Sequence, residues 1–221
     1  MSFDQWRSLV DGAEIDVGSD IPDSAIWQID AREIDASDGD TITTITDQIG
    51  DNDATGGDAV FRESGVNENP SLEFDGVDND YSAPVSVDQP HVIFAVVETF
   101  GGTSDQQWIA GDTETTHGIA WNDEGNWTTF AGDNLFGSAD NSKQLITGVF
   151  DSPDNQIREN GNQENAGDSG PRDISELSIG VRAGDEGDYW DGYIGFVELH
   201  DSGWNQELAD REQQILSEWG I

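Results

Sequence analysis

The chain has 221 residues, 34 % of them apolar, with 47 acidic side chains against 8 basic ones and a formal net charge of −39. That balance sets nucleic acid aside as a partner, because no basic stripe exists to neutralise phosphates, and no stretch approaches the roughly 20 apolar residues of a membrane helix. The absence of cysteine removes disulfides and thiolate metal sites, while eight tryptophans mark a chain that folds and not a disordered acidic tail.

In chain order, Ser2-Phe3-Asp4-Gln5 fits a capping box, and Phe3, Trp6, Leu9 and Val10 share one apolar face. The expectation is a short helix over 2–10, then an acidic Gly/Pro/Ser linker to residue 24. From Ala25 the pattern changes to short alternating segments divided by Gly, Asp and Asn. The candidate strands are AIWQIDA, AVFRE, SLEFDG, HVIFAVVETF, QQWIAGD, HGIAWN, WTTFAG, KQLITGVF, QIREN, ELSIGVRA and YIGFVELH. Many short strands with turn signals between them predict an all-β sandwich or jelly roll. At the end of the chain Asn205 can cap a helix, and Glu207 suits its first turn. Leu208, Ile215, Leu216 and Trp219 supply an apolar stripe, and Gly220 can stop it.

The charge points to solvent conditions. Such a surface repels itself in ordinary buffer, and at about 1 M salt the screening length falls to roughly 3 Å. One lysine against seven arginines, with 31 aspartates, resembles the proteins of salt-loving archaea and their viruses. The isolated protein is expected to lose stability in low salt. MSFDQWRSLVDGAEID has neither a basic start nor an apolar run, so the expectation is synthesis inside a cell without export by a Sec-type signal.

Three stretches resemble one family, the LamG-like concanavalin A-type lectin/glucanase jelly rolls. AIWQIDAREIDASDGDTITTITDQIGDNDATGGD is similar to its opening segment. PSLEFDGVDNDYSAP followed by QPHVIFAVV is similar to its "FDGvDDY" turn and core strand. WDGYIGFVELHDSGWNQELADREQQILSEWGI is similar to its closing strand and helix. The resemblance implies a concanavalin A-like two-sheet β-sandwich over 25–221 with a C-terminal helix, preceded by a helical arm over 1–24. It also implies that Trp27, Trp190 and Trp219 are core.

Glu73-Phe74-Asp75-Gly76-Val77-Asp78 outlines the acid spacing of a retaining glycosidase. Asp78 is short for the third position, however, and on an unbulged strand 73 and 78 face opposite ways. The family resemblance makes FDGVDNDY a turn into a strand, where Gly and Asp belong. Asp75, Asp78 and Asp80 are the weak calcium candidates of that loop; no cofactor is otherwise expected. His91, His117 and His200 lack metal-like spacing and read as loop or edge residues. HGIAWNDEGNWTTFAG reads as a hairpin in which Trp121 and Trp127 flank Asn122, Asp123 and Asn126. That is the chemistry of a sugar platform, a ring stacking on a sugar face while amide and carboxylate bind hydroxyls; the alternative is that the rings fill the core.

The function expected from these readings is a non-enzymatic virion surface protein of a halophilic archaeal virus, a capsid decoration, turret or tail-fibre module. The composition suits that host, and the fold usually works outside cells. Its expected partners are other virion proteins, further copies of itself through Phe3, Trp6, Leu9 and Val10, and host surface glycans. A carbohydrate-binding lectin of a halophilic archaeon and a glucanase of the same fold are the alternatives.

Overall fold

The computed structural model describes residues 21–101, 106–122, 124–138, 144–182 and 188–221. The arm carrying Phe3, Trp6, Leu9 and Val10 lies outside the described residues, as does Asp123. Two eight-stranded antiparallel sheets stack face to face. The first runs β14 (Asn162–Gly167), β13 (Asn155–Glu159), β12 (Gln144–Phe150), β7 (His91–Thr99), β16 (Asp191–His200), β5 (Ser71–Asp75) and β4 (Val60–Arg62), with β1 (Ala25–Asp30) pairing along the later half of β16. The second runs β11 (Asn134–Phe136), β10 (Trp127–Phe130), β9 (Gly118–Trp121), β8 (Gln107–Asp112), β15 (Leu177–Ile179), β6 (Tyr81–Ala83), β3 (Ala54–Thr55) and β2 (Thr44–Ile45).

Alternation decides the faces. Leu72 and Phe74 of β5, Ile93, Ala95 and Val97 of β7, and Ile194, Val197 and Leu199 of β16 point between the sheets. They meet Ile109, Ile119, Trp121, Trp127, Leu177 and Ile179 there. Trp27 and Trp190 lie in this core, as the family resemblance implied. The other face of the first sheet, through Val92, Phe94, Val96, Leu145, Val149 and Phe196, forms a second apolar layer under the C-terminal helix α1 (Gln206–Trp219).

Helix α1 follows its sequence signals closely. Asn205 Oδ1 accepts the amide of Leu208 at 3.0 Å, and Gly220 closes the helix in the left-handed region, with φ 67°. Leu208, Ile215, Leu216 and Trp219 bury against the sheet, each worth about 1.5–3 kcal/mol. Gly195 makes the docking possible. It sits where the register of β16 slips between Ile194 and Phe196, and a Cβ there would lie 2.4 Å from the Trp219 ring. Two charged residues on the buried face, Arg211 and Glu212, are paired beneath the helix. Glu212 accepts from Arg158 and Thr147, while Arg211 donates two hydrogen bonds to Glu198.

Candidate functional site

The helix leaves one end of the first sheet uncovered. There β5, β16 and β7 lie side by side, and the register pairs Glu73 with Tyr193 and Tyr193 with Glu98. One step nearer the strand ends, Asp75 pairs with Asp191, and the Phe100 amide donates to the Asp191 carbonyl at 3.0 Å. Because side chains alternate along each strand, these six residues project from the same outer face, away from Phe74, Ile194 and Val97. Asp75, Asp191 and Phe100 make one row; Glu73, Tyr193 and Glu98 make the next. The Phe100 ring meets that of Tyr193 edge to face, with centroids 4.8 Å apart, and Phe100 is 47 % exposed. In a chain that buries most of its large apolar side chains, this ring stands in solvent.

The carboxylates of this face are unevenly compensated. Glu73 accepts from Arg62 Nε at 2.5 Å, and that contact heads the causes that hold the Arg62 guanidinium above its usual range. Among the described residues Asp191 has no such partner. Partial burial, then the neighbouring charges of Asp75 and Glu73, push its carboxyl above the usual carboxylate range. Burial and Glu73 likewise raise the Tyr193 phenol. Two carboxylates opposed on adjacent strands, one holding its proton more firmly, beside an exposed ring, can bind sugar hydroxyls or donate a proton to a departing oxygen.

The stretch FDGVDNDY is a corner, as expected. Asp75 Oδ1 accepts the amide of Val77 at 2.9 Å, Asn79 Oδ1 accepts that of Asp75, and Gly76 adopts φ 72°. Asp78 and Asp80 lie in this turn, beyond the end of β5. No group of three or more His, Asp or Glu side chains among the described residues is arranged to hold a metal ion, so Asp75, Asp78 and Asp80 are not assembled as a calcium cage. The same corner nonetheless delivers Glu73 and Asp75 to the open face.

The tryptophan hairpin requires a correction. Trp121 and Trp127 face each other across β9 and β10, with rings 4.9 Å apart in a T-shaped contact, and both belong to the inner core. Trp127 is fully buried and Trp121 only 6 % exposed, so neither ring offers a sugar-stacking face. Period-two alternation sends them inward along with Ile119. Asn122 is buried too: its Oδ1 accepts the amides of Glu124 and Asn126 and shapes the turn. The histidines sit where expected, His91 and His200 at strand ends and His117 in the loop before β9, but all three are buried. His91 and His117 meet Nε2 to Nε2 at 2.9 Å, and His200 lies between Ser24 and Glu198.

No family model matches the chain, and no curated protein does. Solved structures with the same fold do exist. A Trypanosoma rangeli sialidase in complex with sialic acid superposes with a TM-score of 0.62 at 12 % identity, covering 86 % of this chain and 32 % of that one. Domain 4 of an extracellular arabinanase from Geobacillus stearothermophilus, in complex with arabinotriose, gives 0.58 at 12 % identity, covering 80 % of this chain and 99 % of that one. Botulinum neurotoxin type C, whose cell entry depends on interaction with two ganglioside molecules, gives 0.64 at 13 % identity over 89 % of this chain and 52 % of that one. The chain spans about a third of the sialidase chains it matches. The lectin-like β-sandwich expected from the sequence is thereby the observed fold. The expectation of a chain outside the enzymes is corrected, since sialidase and arabinanase chains carry this sandwich and the fold gives no ground for setting enzymes aside.

Phe100, Glu98, Asp191 and Tyr193 were not singled out by the sequence. One signal for them existed. In HVIFAVVETF the face bearing Phe94 and Val96 continues to Glu98 and Phe100, so an aromatic follows an acid at the strand end. Nothing local says that Asp191 and Tyr193 pair beside them, because that register is set across more than ninety residues.

Proposed function

We propose that the chain is a carbohydrate-binding domain whose ligand lies on the outer face of β5, β16 and β7. The observation that carries this reading is the exposed Phe100 ring, braced by Tyr193 and bordered by Glu73, Asp75, Asp191 and Glu98. A ring of this kind covers the apolar face of a pyranose, while planar carboxylates accept from vicinal hydroxyls. The ligands named for the sialidase, arabinanase and toxin structures support the reading by analogy of fold alone. A LamG-type membership and a place on the surface of a virion adapted to high salt belong to the same proposal. They are supported by the sequence resemblance and by the charge of −39.

Glycan-array binding at multimolar salt tests the site. Phe100→Ala should weaken binding at least about tenfold, the loss of one stacking contact and its buried area, with the melting temperature preserved. Unchanged binding would remove the face from consideration. A second reading is favoured by the raised proton affinity of Asp191 opposite Asp75. Directly opposed strand residues have Cβ atoms about 4.5–5.5 Å apart, close enough for two carboxyls to reach the separation of about 5–5.5 Å that retaining glycosidases use. In that reading Asp191 gives its proton to the departing glycosidic oxygen while the Asp75 carboxylate bonds to the anomeric carbon, and water then hydrolyses that ester, returning the proton to Asp191. Reducing-sugar release that disappears in Asp191→Asn would select it; binding without release would leave the first reading.

A further inference from the structure

A groove of about 680 Å³ lies apart from the aromatic face, between β1, the turn that follows it and the last turns of α1. Gln28, Asp30, Arg32, Gln48, Arg211 and Glu218 line it. Its base holds two buried side chains with bonds left to make. Gln28 Nε2 donates to Glu198, which orients the amide, and among the described residues no hydrogen bond reaches Oε1 of this 4 % exposed side chain. Arg211, 3 % exposed, spends Nε and Nη2 on Glu198, while among the described residues its Nη1 has no hydrogen-bond partner and lies 4.0 Å from Glu218 Oε1.

The donor left unmade at the buried Arg211 Nη1 costs the desolvation of that group, and Gln28 Oε1 beside it is an acceptor open to the groove. A ligand that supplies both kinds of partner recovers that cost. Glu218 is the outer wall: its side chain is 30 % exposed and accepts from Arg32 Nη2 at 3.0 Å and Gln214 Nε2 at 2.8 Å, so a ligand reaches Nη1 by displacing its Oε1. The remaining wall alternates acceptors and donors, with Asp30 and Glu218 beside Arg32, and Gln48 donating to the Asp30 carbonyl.

Charge selects the ligand class. Arg211 is neutralised by Glu198 beneath it and Arg32 by Asp30. Glu218 and the rim residue Glu33 then leave the groove net negative within a chain of charge −39. An anionic ligand is repelled, and a simple cation cannot serve the Arg211 donor. Hydroxyl groups donate and accept at once. Trp219, the nearest ring, is covered by the Arg32 guanidinium 4.8 Å above it, so recognition here rests on hydrogen bonds and not on stacking.

We propose that this groove is a second binding site, independent of the aromatic face, for a neutral polyhydroxyl compound, a sugar or polyol of one to two rings. The test is calorimetric titration of the full chain at multimolar KCl with glucose, maltose and glycerol, against glucuronate and glucosamine. A neutral sugar or polyol should bind, and glucuronate should not. With the titrations run in the Phe100→Ala background, which removes the aromatic face, Gln28→Leu should weaken binding about tenfold, one hydrogen bond at an acceptor of the groove. If Gln28→Leu melts early, Glu33→Trp, which fills the rim from an exposed position, must abolish binding instead. Failure of every neutral compound to bind in that background, tighter binding of glucuronate, or insensitivity to both groove variants would each overturn the proposal.

Discussion

Strand β16 carries two carboxylates on one face and treats them in opposite ways. Near its end, Glu198 is fully buried under α1. Burial raises its carboxyl, but hydrogen bonds from His200 and then Arg211 outweigh that, and the group is held below its usual range. At the start of the strand Asp191 is only half-buried, yet partial burial and then Asp75 and Glu73 push it upward. Depth alone would predict the reverse order. Partners decide it, for a buried carboxylate with a bidentate arginine is better served than a half-exposed one among its own kind. The covered half of the sheet is therefore built for holding the helix, and the uncovered half keeps charge that a ligand can use.

Breaking the covered half should have the largest effect. Glu198→Gln leaves the Arg211 guanidinium buried without its counter-charge and should cost about 3–5 kcal/mol, read by denaturant unfolding at multimolar KCl. The sign with pH follows the same pair. Because the Glu198 carboxyl is depressed in the folded state, its contribution is present above the ordinary carboxylate range and is lost as pH falls through the lowered value. A loss below about 1 kcal/mol would mean that the pair merely breaks even with its desolvation.

The buried histidines sharpen the comparison by removing the opposite charge altogether. His91 stacks on Phe150, His117 meets the same ring at a tilt, and the two imidazoles share one proton between their Nε2 atoms. With His91 Nδ1 facing the Asp88 carbonyl, His117 must be the donor, and its Nδ1 accepts nothing among the described residues. Burial lowers His91 to about 4, against the opposing Asp88 carbonyl and the charge of Asp173. Burial, then His91, lowers His117 as well, with Asp112 opposing and Arg172 assisting. The unfolded chain binds protons that the folded one refuses, so stability should fall as pH drops from about 6.5 towards 4, by about 3 kcal/mol for His91 alone. Relief of carboxylate repulsion acts the other way over the same window. A His91→Leu, His117→Leu double variant should keep only the relief, and its melting temperature should no longer fall with acid. An acid drop that persists in the double variant would place its origin elsewhere.

The uncovered half should show the smallest effect and the opposite sign. Asp191→Asn removes a charge that folding crowds. It should stabilise the protein by less than about 1 kcal/mol after solvent screening, more in dilute buffer than in multimolar salt. A destabilised Asp191→Asn would show that the ionised carboxylate has an attractive partner at this face.

The strands that sequence reading placed are those with alternation to bury: all eleven candidates coincide with strands of the sheets. β2, β3, β6, β11 and β14 escaped it. Most are two or three residues long, and β14, Asn162–Gly167, is an exposed polar edge strand held by its backbone, so no side-chain pattern marks it. The tryptophans show a different limit. Trp121 and Trp127 carry the chemistry of a sugar platform, but chemistry does not say which face of a hairpin meets the opposite sheet.

By itself, then, the sequence determined the sandwich, the capped helix and the corner at Gly76. Each follows from local rules: side-chain period, an Asn that caps, a Gly that tolerates positive φ. The tertiary structure alone decided which acids became neighbours. Glu73, Glu98 and Asp191 come from three segments far apart in the chain and meet only through strand register. Proton affinity depends on distances of a few ångströms between such groups, and register supplies those distances while composition does not.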